Sequence, residues 1–168
     1  MTVPGWDEYF LGIAHAVALR AKCTRRKVGA VIVVDRRIIA TGYNGAAPGE
    51  PDCLEGACPR GQLPYDVIPG LGDYDRPGTA GFCIAIHAEV NALLFATRDT
   101  KDGTAYITDP PCAGCRKALA AAGIQRVVYP DGEYDRAGLT AWEVASPDRS
   151  GPREFEVPVG DGLADHVV

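Results

Sequence analysis

No stretch of this chain is apolar for the roughly 20 residues needed to cross a bilayer, so no membrane partner is expected. The first eight residues carry Asp7 and Glu8 where a secretory signal carries bases, and no apolar run follows them. A cytoplasmic location is the expectation. Basic residues are also in deficit: 17 Lys and Arg stand against 22 Asp and Glu, a formal net charge of -5. Long, nonspecific contact with a nucleic-acid backbone needs clustered cations, so nucleic acid is not an expected partner, while a local pocket for one phosphate remains compatible. There is no internal repeat and no low-complexity tract. At 168 residues, 46% hydrophobic and 23% charged, the chain suits one ordinary globular domain spanning 1–168. In a reducing compartment its six cysteines read as metal ligands or redox groups rather than as a disulfide framework.

Apolar spacing predicts an amphipathic helix over 7–21, with Tyr9, Phe10, Ile13, Val17 and Ala21 on one side. The β-branched run over 29–34 predicts a buried strand, and 37–42 returns from it as a hairpin partner. From Asn44 to Gly81 the pattern disappears into Gly, Pro, Asp and Cys, a loop insertion placed at 44–83. A loop that long inside a compact domain is functional or pinned by something other than a core. Helical character resumes over 86–97, followed by a strand at 104–108, an Ala-rich helix over 112–122 stopped by Gly123, and a strand at 125–129. A short helix is predicted at 140–145 and an edge strand at 154–159, within a flexible tail after 146. Strands alternating with helices imply an α/β fold, a partly parallel sheet of about five strands covered on both faces.

The chemistry concentrates in His87-Ala88-Glu89 and, 25 residues after that histidine, Pro111-Cys112-Ala113-Gly114-Cys115. One imidazole and two thiolates are ligands that suit zinc. A closed structural site takes four protein ligands. Three, with Glu89 two residues from the first, leave a position for water and a carboxylate to serve it. Both motifs fall at predicted helix starts, where free N–H groups and the helix dipole lower a thiol's pKa. Cys112 and Cys115 alone could be a redox pair, but that reading leaves His87 and Glu89 without a role.

His-x-Glu followed by Pro-Cys-x-x-Cys is the signature of zinc-dependent nucleobase deaminases. With Gly5-Trp6-Asp7-Glu8-Tyr9-Phe10, Thr41-Gly42-Tyr43-Asn44-Gly45 and His87-Ala88-Glu89-Val90-Asn91-Ala92, the chain resembles the deoxycytidylate (dCMP) deaminase family of the cytidine deaminase-like superfamily, from about Trp6 to Tyr134. The resemblance implies a three-layer α/β/α fold and zinc-dependent hydrolysis of dCMP to dUMP and ammonia. It assigns the catalytic zinc to His87, Cys112 and Cys115, and the proton shuttle between water, N3 and the leaving ammonia to Glu89. By analogy Asn44 reads the sugar hydroxyl, Ala88 offers its backbone to the base edge, and Tyr134 lines the base pocket. A guanidinium grips phosphate oxygens bidentately, which makes Arg25, Arg26 and Arg98 the candidate phosphate partners. Each also reads as plain charge at a helix end, and Asn44 as a turn residue.

Cys23, Cys53, Cys58 and Cys83 remain. Four thiols around a patternless loop suit a closed structural zinc site that pins it, and the resemblance supports a second zinc. It also implies a homo-oligomer, with a hexamer favoured, and control by dCTP and dTTP. Tyr43, Gly45 and Arg98 are the candidate effector or phosphate contacts, with Mg2+ accompanying a triphosphate. Two other readings stay open: a zinc deaminase of another cytosine nucleotide, nucleoside antibiotic or nucleic-acid base, and a noncatalytic zinc-binding domain. Only the last has no use for Glu89.

Overall fold

A computed structural model describes residues 2–67 and 73–142. In chain order the elements are α1 (Trp6–Ala18), β1 (Gly29–Val34), β2 (Arg37–Tyr43), α2 (Pro59–Gln62), α3 (Ala88–Leu94), β3 (Thr104–Ile107), α4 (Ala113–Ala121), β4 (Arg126–Tyr129), β5 (Gly132–Asp135) and α5 (Arg136–Thr140). The strands form one sheet in the order β2-β1-β3-β4-β5. β3 and β4, joined through α4, are parallel; the other neighbours are antiparallel. This is the mixed five-stranded α/β sheet expected.

Alternation along the strands sorts the core into two layers. Ala30 and Ile32 of β1, Ala105 and Ile107 of β3, and Val127 of β4 pack with Ala88, Ala92, Leu119 and Leu139 of α3, α4 and α5. Their neighbours Val31, Val33, Tyr106 and Val128 face the other way, onto Phe10 and Ala14 of α1. One helix covers one face and three cover the other.

Two glycines set how closely helices approach the sheet. A Cβ on Gly29 would lie 2.2 Å from the Ala14 carbonyl oxygen, and one on Gly42 would lie 2.2 Å from that of Ala88 and 2.4 Å from the Ala92 nitrogen. Both are well inside van der Waals contact, so only glycine lets α1 and α3 sit where they do.

The C-terminal part corrects the prediction. The fifth strand among the described residues is β5, a hairpin partner of β4 that apolar spacing does not mark, while the predicted strand at 154–159 lies outside the described residues with the rest of the tail. The short helix sits at Arg136–Thr140, earlier than the predicted 140–145, of which 143–145 are likewise outside the described residues. Asp135 sets its start by accepting a hydrogen bond from the Gly138 N–H at 2.7 Å. The predicted helices over 7–21 and 86–97 are shorter at their ends than their apolar spacing suggests.

Candidate active site and metal centre

Because β2 and β3 are both antiparallel to β1, their carboxyl ends lie at the same end of the sheet. α3 and α4 begin there, as ligand-bearing helices do in α/β folds. His87 is the N-cap of α3 in an extended conformation, and its side chain makes no capping bond, leaving the imidazole free. A backbone bridge between Gly45 and Ile86 fixes the approach to it, and the Asn91 amide holds α3 to β2 by donating to the Tyr43 carbonyl at 2.9 Å. Cys112 is the N-cap of α4, and its Sγ accepts from the Cys115 N–H at 3.4 Å.

The three side chains converge. His87 Nδ1 lies 3.2 Å from Cys115 Sγ and 3.6 Å from Cys112 Sγ, and the three ligand atoms all fall within 4.8 Å of one another. One nitrogen and two sulfurs at that separation form a donor set that fits zinc, with an open fourth position. Burial pushes the Cys115 thiol well above its ordinary value, and the neighbouring Glu89 carboxylate adds to this. A divalent cation reverses that preference, because thiolate coordination offsets the lost hydration. Glu89 is 4% exposed. Burial raises its pKa, opposed by its own backbone N–H, by His87 and by Cys115.

Glu89 and His87 open onto a cavity of about 490 Å³, in the range that suits a small-molecule ligand. Ala88, Asn44 and Arg26 also line it. Asn44 is buried and already engaged: its Oδ1 accepts from the Val28 N–H and its Nδ2 donates to the Arg26 carbonyl, each at 2.8 Å. The Arg26 side chain is 73% exposed, with Asp109 at 3.8 Å as its ion-pair partner, so it is free to turn toward an anion. Arg25 borders the cavity too, but its guanidinium donates to the carbonyls of Leu63, Pro64, Tyr65 and Val67 and serves to hold that loop.

Four sequence candidates stand apart from the cavity. Arg98 donates to the Val34 carbonyl at 3.0 Å, at the opposite end of β1 from the metal ligands, so it is not placed to meet a phosphate in this cavity. Tyr134 packs in β5 against Tyr129, with the Arg116 guanidinium 4.8 Å over its ring, and does not line the cavity. Its short strand pairs with β4, and the ring packs against the core layer that carries α3, α4 and α5. Tyr43 and Gly45 support α3 through their backbones.

The other four cysteines all border the same cavity. Cys23 Sγ accepts from the N–H groups of Arg25 and Arg26, and Cys58 Sγ from that of Gly61, each at 3.4 Å. Cys58 interacts with both Cys53 and Cys83. Among the described residues, however, only His87, Cys112 and Cys115 bring three ligand atoms within 4.8 Å of one another. All six cysteines are unpaired.

Two residues of this site carried no sequence signal. Tyr74 Oη lies 2.5 Å from His87 Nε2, and the Arg60 guanidinium sits 5.2 Å over the Tyr74 ring while also bordering the cavity. Both come from the patternless 44–83 stretch, where nothing in spacing or neighbours marks them.

Comparison with known proteins agrees with this geometry. The family model for the cytidine and deoxycytidylate deaminase zinc-binding region matches residues 4–130. Over 131 residues the chain is 51% identical to the deoxycytidylate deaminase of Mycobacterium phage D29, covering 77% of this chain and 98% of that protein. It is 41% identical over 128 residues to the deoxycytidylate deaminase of Saccharomyces cerevisiae, covering 75% of this chain and 38% of that longer one. The crystal structure of the dCMP deaminase from cyanophage S-TIM5 in complex with dCMP and dUMP superposes with a TM-score of 0.56 at 26% identity, covering 77% of this chain and 83% of that one.

Proposed function

The chain belongs to the cytidine and deoxycytidylate deaminase zinc-binding family, and from that membership we propose that it hydrolyses dCMP to dUMP and ammonia, supplying dUMP for thymidylate synthesis. The observation that carries this reading is the convergence of His87, Cys112 and Cys115 beside the buried Glu89, in one cavity of nucleotide size.

His87, Cys112 and Cys115 would hold the zinc, which when bound would lower the pKa of a water enough for attack near neutral pH. The chain's own residues do the rest. Glu89 accepts a proton from the attacking water and delivers it to N3 of the pyrimidine as the oxygen bonds to C4. It then carries the second proton to the amine as the C4–N bond breaks, leaving a C4 carbonyl and ammonia. A carboxylate whose pKa is raised by burial is suited to both giving and taking a proton. Ala88, at the first turn of α3, offers its backbone to the base edge. Asn44 meets the sugar hydroxyl, and Arg26, the freest guanidinium on the cavity wall, takes the phosphate.

The reading extends to the rest of the chain as one deaminase domain over 1–168, with a second zinc on Cys23, Cys53, Cys58 and Cys83. That zinc is supported by the four sulfurs bordering one cavity and by the N–H groups already pointing at two of them. It also includes a homo-oligomer, hexamer favoured, with dCTP activating and dTTP inhibiting beside Tyr43 and Gly45, and Mg2+ on the triphosphate. The unpaired thiols support a cytoplasmic setting. No helix among the described residues is long and apolar enough to cross a membrane.

Steady-state assay of the zinc-loaded protein against dCMP, cytidine and dCTP tests the central reading. Turnover of dCMP in preference to the nucleoside is the expected result. No turnover of any cytosine monophosphate overturns it. In the same assay, rates unmoved by either dCTP or dTTP overturn the regulatory part alone.

A further inference from the structure

We infer that Tyr74 is a positioning residue for the metal centre: its phenol holds the His87 imidazole in the tautomer and orientation that present Nδ1 to Cys112 and Cys115. This rests on the reading of His87, Cys112 and Cys115 as a metal site. It assigns the 44–83 insertion a part in that site.

The geometry is specific. His87 Nδ1 faces the two sulfurs, at 3.2 and 3.6 Å, so the lone pair a metal would use is on Nδ1. A neutral imidazole with its lone pair there carries its hydrogen on Nε2. That N–H needs an acceptor in a half-buried setting, and among the described residues Tyr74 Oη lies 2.5 Å from Nε2 to serve as one. The rings meet edge to face, 5.4 Å between centroids at 88°, so the contact fixes the plane of the imidazole as well as its tautomer. Having accepted from Nε2–H, the phenol keeps its own hydrogen for its other polar neighbour, the Cys83 thiol.

Tyr74 is itself held. The Cys83 N–H donates to its carbonyl at 3.0 Å, and the Arg60 guanidinium covers its ring at 5.2 Å while donating to the Gly81 carbonyl at 3.3 Å. Arg60, Gly81 and Cys83 of the insertion thus close around this side chain and aim it at a metal ligand. An outer partner of a ligating histidine sets ligand orientation and basicity, and its loss commonly costs about 10- to 100-fold in metal affinity.

The chain has three histidines, so a 15N-histidine spectrum of the zinc-loaded protein resolves His87 without crowding. The wild type is expected to show a metal-shifted Nδ1 and a slowly exchanging Nε2–H. Metal on Nε2, with the hydrogen on Nδ1, overturns the inference without any variant being made. Tyr74→Phe keeps the ring and deletes only the hydroxyl. Its Nε2–H is expected to exchange rapidly, and loss of the Nδ1 metal shift under a zinc chelator to occur at about 10- to 100-fold lower chelator concentration. On dCMP, kcat is expected to fall by more than KM changes, because the deleted hydroxyl acts through the metal ligand His87. A variant matching the wild type in exchange and chelator titration overturns the inference. A wild type that binds zinc but leaves dCMP untouched overturns the substrate reading instead, and the histidine spectra still judge Tyr74.

Discussion

At the scale of single residues, the site divides into groups that meet the reacting atoms and groups that hold those in place. Glu89 is in the first class. Glu89→Gln keeps size and burial but cannot carry a proton, so kcat for dCMP is expected to fall about a hundred- to ten-thousandfold. Zinc content should be retained, because Glu89 is not among the three ligands. Metal analysis on the assayed sample checks both halves of that expectation. Arg26→Ala tests the phosphate. With its ion-pair partner among the described residues 3.8 Å away, the guanidinium contributes little to the fold, and the substitution should raise KM for dCMP roughly tenfold, as for a charge-assisted contact, while leaving Tm in place. Equal KM values in the two proteins would move the phosphate to another group. His87, Glu89, Cys112 and Cys115 were legible in the sequence because each pair sits within one helical turn, so local spacing alone states their proximity. Tyr74 was not legible. It reaches His87 across 13 residues of chain without periodicity, through a path that only loop closure defines.

Among elements, the deciding contact is α3 on β2. His87 and Glu89 reach the cavity because the start of α3 lies against Gly42 with no room for a side chain. Gly42→Ala must push Ala88 and Ala92 off the sheet. The expected cost is about 1–3 kcal/mol of stability, as for overpacking elsewhere, together with reduced zinc per chain. Thermal melting and metal stoichiometry measured together separate this outcome from a substitution the helix absorbs by sliding. The hairpin β1–β2 and the helices α3 and α4 followed from apolar spacing and stop signals. β5 did not, since Gly132, Glu133 and Asp135 are exposed and its place in the sheet comes from backbone pairing to β4. A four-residue edge strand with no buried face offers no alternation to read.

For the molecule as a whole, α1 and β4 are tied by charge. Asp7, at the start of α1, accepts from both Arg126 terminal nitrogens, at 2.9 and 2.8 Å, and from the Tyr106 hydroxyl at 2.9 Å. The Arg126 guanidinium, helped by that hydroxyl, holds the Asp7 carboxyl below its usual range against an opposing effect of burial. A depressed carboxyl stabilises the fold above its ordinary value of 3.8, and the contribution is lost as pH falls through the lower folded value. Both partners are over a third exposed in their side chains, so screening limits the effect. Asp7→Asn should therefore cost about 1 kcal/mol at neutral pH, with the gap to wild type closing in acid. Urea unfolding across that pH range measures it. Zinc acts on the same global balance: a ligand that binds only the folded chain adds about 2.7 kcal/mol at a hundredfold excess over its Kd. Chelation should lower Tm accordingly, and an unchanged melt would mean the metal is not held by the folded state.

By itself the amino-acid order determined the reaction chemistry and the sheet-and-helix frame, because both are written in short-range form: His87 with Glu89 and Cys112 with Cys115, each pair within a turn, and apolar residues at helical or strand period. Only the tertiary structure decided which guanidinium faces the cavity, that Arg98 and Tyr134 stand away from it, and that Tyr74 backs the ligating imidazole. Those are contacts between segments far apart in the chain, and what sets them is the closure of loops and the close seating of helices on glycine, which no local pattern records.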